Sequence, residues 1–433
     1  MSQMITSAPE PELPHAAANA DTLRRRDLQM RWSRFFLGVL TAFLIMGAIH
    51  GYTLKDRYSD KVAELSRSVI GDENTARVEG WYFSVQDRFD RTKYSIFGGD
   101  KNPFAEDPDQ GSPVAAVVPT VNVVMAPTST PAPGVTPSPT PAPTPPPLVL
   151  PEVRQVSAAL ETGEGVWTTA GLPHTSPEDV LMAKTFVRPD HARPYAAVGI
   201  LLLDHRRVNL HITGGTEDPG GDLGVHGPGS IPDEHLSTLL AAWNGGFRGP
   251  HGGFGMYADG QQYRPLRDGY ASVVLKRDGS IQIGQWGRDV GWSDAVVAVR
   301  QNAALLVEDC EVSPRTTDEG NDTWGYVQVD SSEFITWRSA IGVTASGDLM
   351  VAAGNSLSAN SLARALWAAG ACWAMQLDIN TPYVLTSVFF QQPDGTIASE
   401  RFMESMQDYA GRFLGTNKND FMYVTLDESR YVP

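Results

Sequence analysis

The chain has 433 residues and a net charge of −16, from 34 Lys and Arg against 50 Asp and Glu. That balance excludes broad nucleic-acid binding, which needs a basic stripe. The two cysteines, Cys310 and Cys372, exclude a disulfide-rich scaffold and a cysteine-based zinc site.

From Phe35 to Tyr52 the sequence FFLGVLTAFLIMGAIHGY carries no charged residue and is just long enough to span a bilayer core. Arg24, Arg25, Arg26, Arg31 and Arg34 precede it, so the expected topology is a single-pass cell-membrane anchor. Residues 1–34 would then be cytoplasmic and the rest extracellular. A cleaved signal peptide would have a shorter apolar stretch and end in a small-x-small site, and none follows Tyr52.

Residues 53–110 read as a charged, partly helical juxtamembrane stub, with Trp81, Val85, Phe89 and Tyr94 near helical spacing. They suit a contact surface better than a catalytic unit. From 111 to 151 the composition turns to Ala, Pro, Thr and Ser, ending in TPSPTPAPTPPP, which cannot bury a core and reads as a semi-rigid spacer. The working domain is expected at 152–433.

Within it, tight-turn signals recur at Tyr257-Ala258-Asp259-Gly260, Arg277-Asp278-Gly279, Ser346-Gly347-Asp348 and Pro393-Asp394-Gly395. In SVVLKRDGSIQIGQW, Val273 and Leu275 should pair across the turn with Ile281 and Ile283. AVGILLLDHRRVNLHI reads as two further strands. SANSLARALWAAG predicts a helix with Ser358 or Asn360 as N-cap, Leu362, Leu366 and Trp367 on one face, and Gly370 as its stop. ACWAMQLDIN then predicts an apolar strand that exits on Asp378. The fold class expected is mixed α/β (α+β), rich in antiparallel strands and hairpins.

Three stretches carry candidate chemistry. AAWNGGFRGPHGGFGM (241–256) ends an apolar run in Asn244-Gly245-Gly246, a loop or a backbone cradle for a ligand. Asp378, at a strand exit, is the kind of carboxylate whose pKa can be tuned for acid–base or nucleophilic work; the alternative is an Asp that caps a turn with Asn380 and Pro382. Arg338, in FITWRSAIGV, needs an anionic partner from the protein or a ligand. His205, His211, His226, His235 and His251 show no metal-ligand spacing, so neither a metal nor a cofactor is expected. Outside the membrane, Cys310 and Cys372 can be disulfide-bonded or two buried thiols.

The order of these pieces resembles the phosphodiester glycosidase family. The matching stretches are WNGGF (243–247), RSAIGVTASGDL (338–349) and AMQLD (374–378), with RPDHARPYAAVGILLLD (188–204) similar to the entry strands of bacterial members. The resemblance covers roughly residues 180–400. It implies a cleft lined by Asn244, Gly245, Gly246, Arg338 and Asp378, in which glycine N–H groups and Arg338 hold a phosphate. Asp378 would act as nucleophile, base or electrostatic stabiliser, and Asn244 would bond a sugar hydroxyl or orient Asp378. Arg248 would add positive charge, although a solvated loop position is its simpler reading. Family members continue the last motif with two glycines, whereas here Ile379, Asn380, Thr381 and Pro382 follow Asp378. Asn380 and Thr381 would then offer side-chain bonds to a different substrate. The function implied is a membrane-anchored extracellular hydrolase acting on a sugar-1-phosphodiester-type bond of a surface glycan such as an exopolysaccharide. The alternative is a glycan-binding, envelope-organising protein without turnover.

Overall fold

Leu201, Leu202 and Leu203 are all buried, although successive side chains of a strand point to opposite faces. Such a run needs cover on both sides, and the computed structural model shows where each cover comes from. It describes residues 85, 87–96, 98, 102–104, 148–318 except 177, 324, 334–427 except 382, and 429. The expected anchor Phe35–Tyr52 and most of the Pro-rich segment lie outside the described residues. Among the described residues no helix is long and apolar enough to cross a membrane.

Among the described residues, seventeen strands form three sheets with antiparallel ladders. A seven-stranded sheet runs β1 (Met182–Val187), β2 (Val198–Leu203), β13 (Leu349–Leu357), β12 (Thr336–Thr344), β14 (Ala371–Ile379), β10 (Leu305–Glu308) and β11 (Glu311–Val312). A five-stranded sheet runs β16 (Ile397–Arg401), β15 (Thr386–Gln391), β4 (Leu239–Asn244), β17 (Phe421–Leu426) and β3 (Val208–Thr213). A second five-stranded sheet runs β6 (Gln261–Arg264), β5 (Met256–Ala258), β9 (Val296–Asn302), β7 (Ala271–Lys276) and β8 (Ile281–Gln285).

Leu201 and Leu203, with Ile341, Val351, Met375 and Leu377, face the main core shared with the two smaller sheets. Ile200 and Leu202, with Ala340, Ala352 and Ala374, face a second core under the helix Ala359–Ala368. Alanines on that face let the helix lie close to the sheet. Ser358 is its N-cap, accepting from the Ser361 N–H at 3.1 Å, and Gly370 ends it in a left-handed conformation (φ +98°).

Val273 pairs with Ile283 and Leu275 with Ile281, as the Asp-Gly turn predicts. AVGILLLDHRRVNLHI does form two strands, but β2 and β3 join different sheets. The fold is mostly antiparallel sheet with few helices, so the expected mixed class holds for its strands and overstates its helix.

Two expected boundaries change. Leu148 and Leu150 are buried in the second core, and Trp167 Nε1 donates to Pro151 O at 2.8 Å, so the folded domain begins before residue 152. The stub also belongs to it in part. Residues 87–96 are helical, and Asp87 accepts from Arg193 Nε at 3.0 Å and from the Tyr195 hydroxyl at 2.6 Å. Phe104 packs edge-on against Phe186 and Phe402, and the Glu404 N–H donates to Pro103 O at 3.0 Å. Both flanks of the Pro-rich segment therefore rest on one body, a correction to the simple spacer expected from composition.

Candidate functional site

The last residues of β4 and β14 meet where two sheets converge. The Asp378 N–H donates to Gly245 O at 3.0 Å, tying the end of one strand to the loop after the other. Asn244 is buried between them. Its amide Nδ2 donates to Gly245 O (3.0 Å) and to Ser339 Oγ (2.9 Å), and its Oδ1 accepts from the Leu385 N–H (3.2 Å). Ser339 Oγ in turn donates to Asp378 O at 2.8 Å. Asn244 thus orients the backbone that carries Asp378, with no direct bond to its carboxylate. Asn302 adds a second brace, donating from Nδ2 to Gln376 O (2.8 Å) and Leu377 O (3.0 Å) while accepting from the Phe247 N–H (3.3 Å).

The Asp378 side chain is 7% exposed, and its Oδ1 accepts from the Ile379 N–H at 2.8 Å. Burial pushes its pKa up to about 8, opposed by that N–H; the nearby Asp420 charge adds to the rise, and Arg248 and Arg300 oppose it. A carboxyl that holds its proton at neutral pH is suited to donate it.

Asp420 and Arg300 are absent from the sequence reading. They form a fully buried pair, Arg300 Nε to Asp420 Oδ2 at 2.8 Å and Nη2 to Oδ1 at 3.1 Å, with further Arg300 bonds to Gln301 O and Phe247 O. This pair explains the glycines. The Gly245 N–H donates to Asp420 O (3.0 Å) and the Gly246 N–H to Asp420 Oδ2 (3.2 Å). A Cβ on Gly245 would fall on the Asp420 carboxylate, and one on Gly246 would lie 2.9 Å from Arg300 Cζ. The expected phosphate cradle is therefore corrected: both amides are engaged, and the close approach they permit is to a buried ion pair. A lone Arg in the apolar strand VVAVRQN was the signal that could have revealed it.

Arg338 is fully buried and donates to Leu357 O (3.0 Å), Phe334 O (2.7 Å) and Gln376 Oε1 (2.5 Å). These three acceptors are neutral. The guanidinium braces the ends of β12, β13 and β14. Arg248 is half-buried, and its Nε donates to Asp218 Oδ2 at 2.7 Å while the Gly249 N–H donates to Asp218 Oδ1 at 3.0 Å. Burial disfavours its charge, but Asp218 and Tyr383 hold its pKa above the ordinary value. A solvated loop position is thus overturned, and Arg248 is a held cation close enough to act on Asp378.

After Asp378, Ile379 packs with Phe247, Phe254 and Ala303. Asn380 adopts φ +74°, a left-handed conformation that Asn tolerates better than most residues. It therefore supplies the turn that a glycine would otherwise make. Its Oδ1 accepts from Thr336 Oγ1 at 2.8 Å, which occupies the oxygen expected for substrate. Thr381 is half-buried, and its carbonyl accepts from Gln407 Nε2. Cys310 and Cys372 form a disulfide that ties the β10–β11 turn to the start of β14. Of the histidines, His205 joins Asp204 and Asp348 in the metal-compatible group found among the described residues. Asp204 is already bound by Arg206 (2.7 and 2.8 Å), and Asp348 by His205 Nδ1 (3.0 Å) and Ser346 Oγ (2.6 Å).

No protein-family model matches this sequence, and no curated protein matches it. Among solved structures, the fold is similar to the zebrafish N-acetylglucosamine-1-phosphodiester alpha-N-acetylglucosaminidase catalytic domain auto-inhibited by pro-peptide. The TM-score is 0.38 at 14% identity, over 59% of this chain and 87% of that one. It is also similar to a hypothetical protein from Synechocystis, at TM-score 0.29 and 10% identity, over 57% of this chain and 62% of that one. These are resemblances of structure at a distance, and they bring no activity to this chain.

Proposed function

We propose that the chain is a hydrolase acting on a glycosidic bond of the sugar-1-phosphodiester type in a surface or envelope glycan. It would be held at the cell membrane by residues 35–52 with its folded domain outside. The observation that carries this reading is Asp378: a buried carboxyl, raised to about 8, beside the half-buried Arg248 at the junction of two sheets. A sugar joined through its anomeric carbon to a phosphodiester already has a good leaving group. Asp378 gives its proton to the departing oxygen as that bond breaks, water adds its oxygen to the anomeric carbon, and the released proton goes to solvent. Arg248 stabilises the anionic leaving group. Asn244, Ser339 and Asn302 are positioning residues that act through the Asp378 backbone, and Gly245 and Gly246 serve them through Asp420.

The test incubates the full chain and its Asp378→Asn variant with sugar-1-phosphodiesters and aryl glycosides, with and without chelator, and reads released sugar by mass spectrometry. Release by the parent alone, indifferent to chelator, is the expected result. Equal release by both proteins would remove Asp378 from the chemistry. Glycan binding with no release by either would favour the binding-protein alternative.

A further inference from the structure

Where the helix 87–96 and residues 102–104 rest on the domain, they enclose a cavity of about 550 Å³ with the rim of the seven-stranded sheet. That volume is within the usual range for small-molecule sites. Tyr94 and Tyr195 supply ring faces, their centroids 6.0 Å apart. Among the described residues, Asp90 and Glu404 supply carboxylates and Lys93 the one cation of the lining, so this wall discourages a phosphate and offers acceptors for hydroxyl groups.

One residue points to a ligand independently. Ser356 lines the cavity at 6% exposure, with its hydroxyl available to a ligand there. Its backbone is also held at φ +59°, a conformation rare for serine, while its N–H donates to Asn355 Oδ1 at 2.7 Å. Strain of this kind persists where surrounding structure imposes it, and often at binding sites.

The sheet register relates this cavity to Asp378. Arg338 lies opposite Ile379 on one side and Gly354 on the other, and Gly354 lies opposite Val198. The ends of β14 and β13 and the start of β2 thus share one rim. Ser356 is two strands from Asp378 across that rim and up to three residues along it, on the order of 10–15 Å at ~4.8 Å per strand and ~3.3 Å per residue. A glycan chain of a few sugar units can reach both.

We infer that the cavity between the helix 87–96 and the sheet rim is a binding subsite for a neutral sugar unit, with the Ser356 hydroxyl as a polar contact. That the bound glycan is the one cleaved at Asp378 rests on the glycosidase reading; the sugar binding does not.

The test titrates the full chain with cellotriose, chitotriose, maltotriose and mannotriose by calorimetry, using the parent, Ser356→Gly and Asp87→Ala. Glycine is at ease at φ +59°, so Ser356→Gly removes the hydroxyl and relieves the backbone. Saturable binding of one trisaccharide is expected, weakened about tenfold by Ser356→Gly, which is the effect of one lost hydrogen bond. Asp87→Ala, which loosens the helix, should weaken it further. This pattern without any hydrolysis upholds the subsite and refutes the glycosidase reading. Hydrolysis of aryl glycosides with no trisaccharide binding, or with binding indifferent to Ser356→Gly and Asp87→Ala, overturns the subsite and leaves the glycosidase reading standing.

Discussion

Replacing Asp378 with Asn should stabilise the protein, increasingly so as the pH rises. The carboxyl moves from 3.8 in the unfolded chain to about 8 in the fold, so between those values the folded state holds a proton that the unfolded state has lost. Stability then falls as pH rises through that window and levels off above it. At ~1.36 kcal/mol per pKa unit, the parent gives up about 2 kcal/mol at pH 5, about 4 at pH 7 and about 6 at pH 9, relative to a neutral side chain. Asn keeps an oxygen for the Ile379 N–H and carries no charge to bury. Urea unfolding of both proteins at pH 5, 7 and 9 measures the difference, and its growth by about 4 kcal/mol from pH 5 to pH 9 is the expected result. A difference that stays constant across this range would refute the claim that Asp378 is a protonated, buried acid.

The same acid makes hydrolysis fall as pH rises through about 8, which a rate profile on an aryl glycoside reads directly. Asp420→Asn leaves the Arg300 guanidinium buried without its counter-charge and should cost about 3–5 kcal/mol in thermal or urea unfolding. By removing a charge that raises the Asp378 pKa, it should also move the rate profile to lower pH. Asn380→Gly should change stability by less than about 1 kcal/mol, since glycine accepts φ +74°, whereas Asn380→Val should cost about 2 kcal/mol or more in the same assay. Opening the Cys310–Cys372 bridge, which spans 62 residues, should cost about 4 kcal/mol, measured as the shift in urea midpoint between Cys372→Ser and parent.

What was legible from sequence was local. The Asp278-Gly279 turn set the β7–β8 register, and Ser358 and Gly370 bracketed the helix, because each signal and its effect lie within a few residues. Asp378 stood out as a carboxylate at the end of an apolar strand, and the structure does bring it to Asn244 and Gly245. The purpose of the glycines was illegible because it depends on Asp420, 175 positions from Gly245, and on Arg300 between them. Reading Arg300 as Arg338 was read, as a cation in an apolar strand that requires a partner, would have posed the question without supplying the answer. The linker was misjudged for a different reason. Composition reports whether a segment can build a core, and says nothing about where its two ends are fastened.

Those fastenings govern what a break in the chain would do. A protease that cuts the Pro-rich segment between 105 and 147 severs one covalent connection but none of the contacts that hold Asp87 to Arg193, Phe104 to Phe186 and Phe402, or Pro103 to Glu404. The two fragments would stay together as a nicked protein, separable under denaturing conditions and co-eluting under native ones. A cell could clip this exposed-composition stretch without shedding the domain, and shedding would require the helix 87–96 to let go as well.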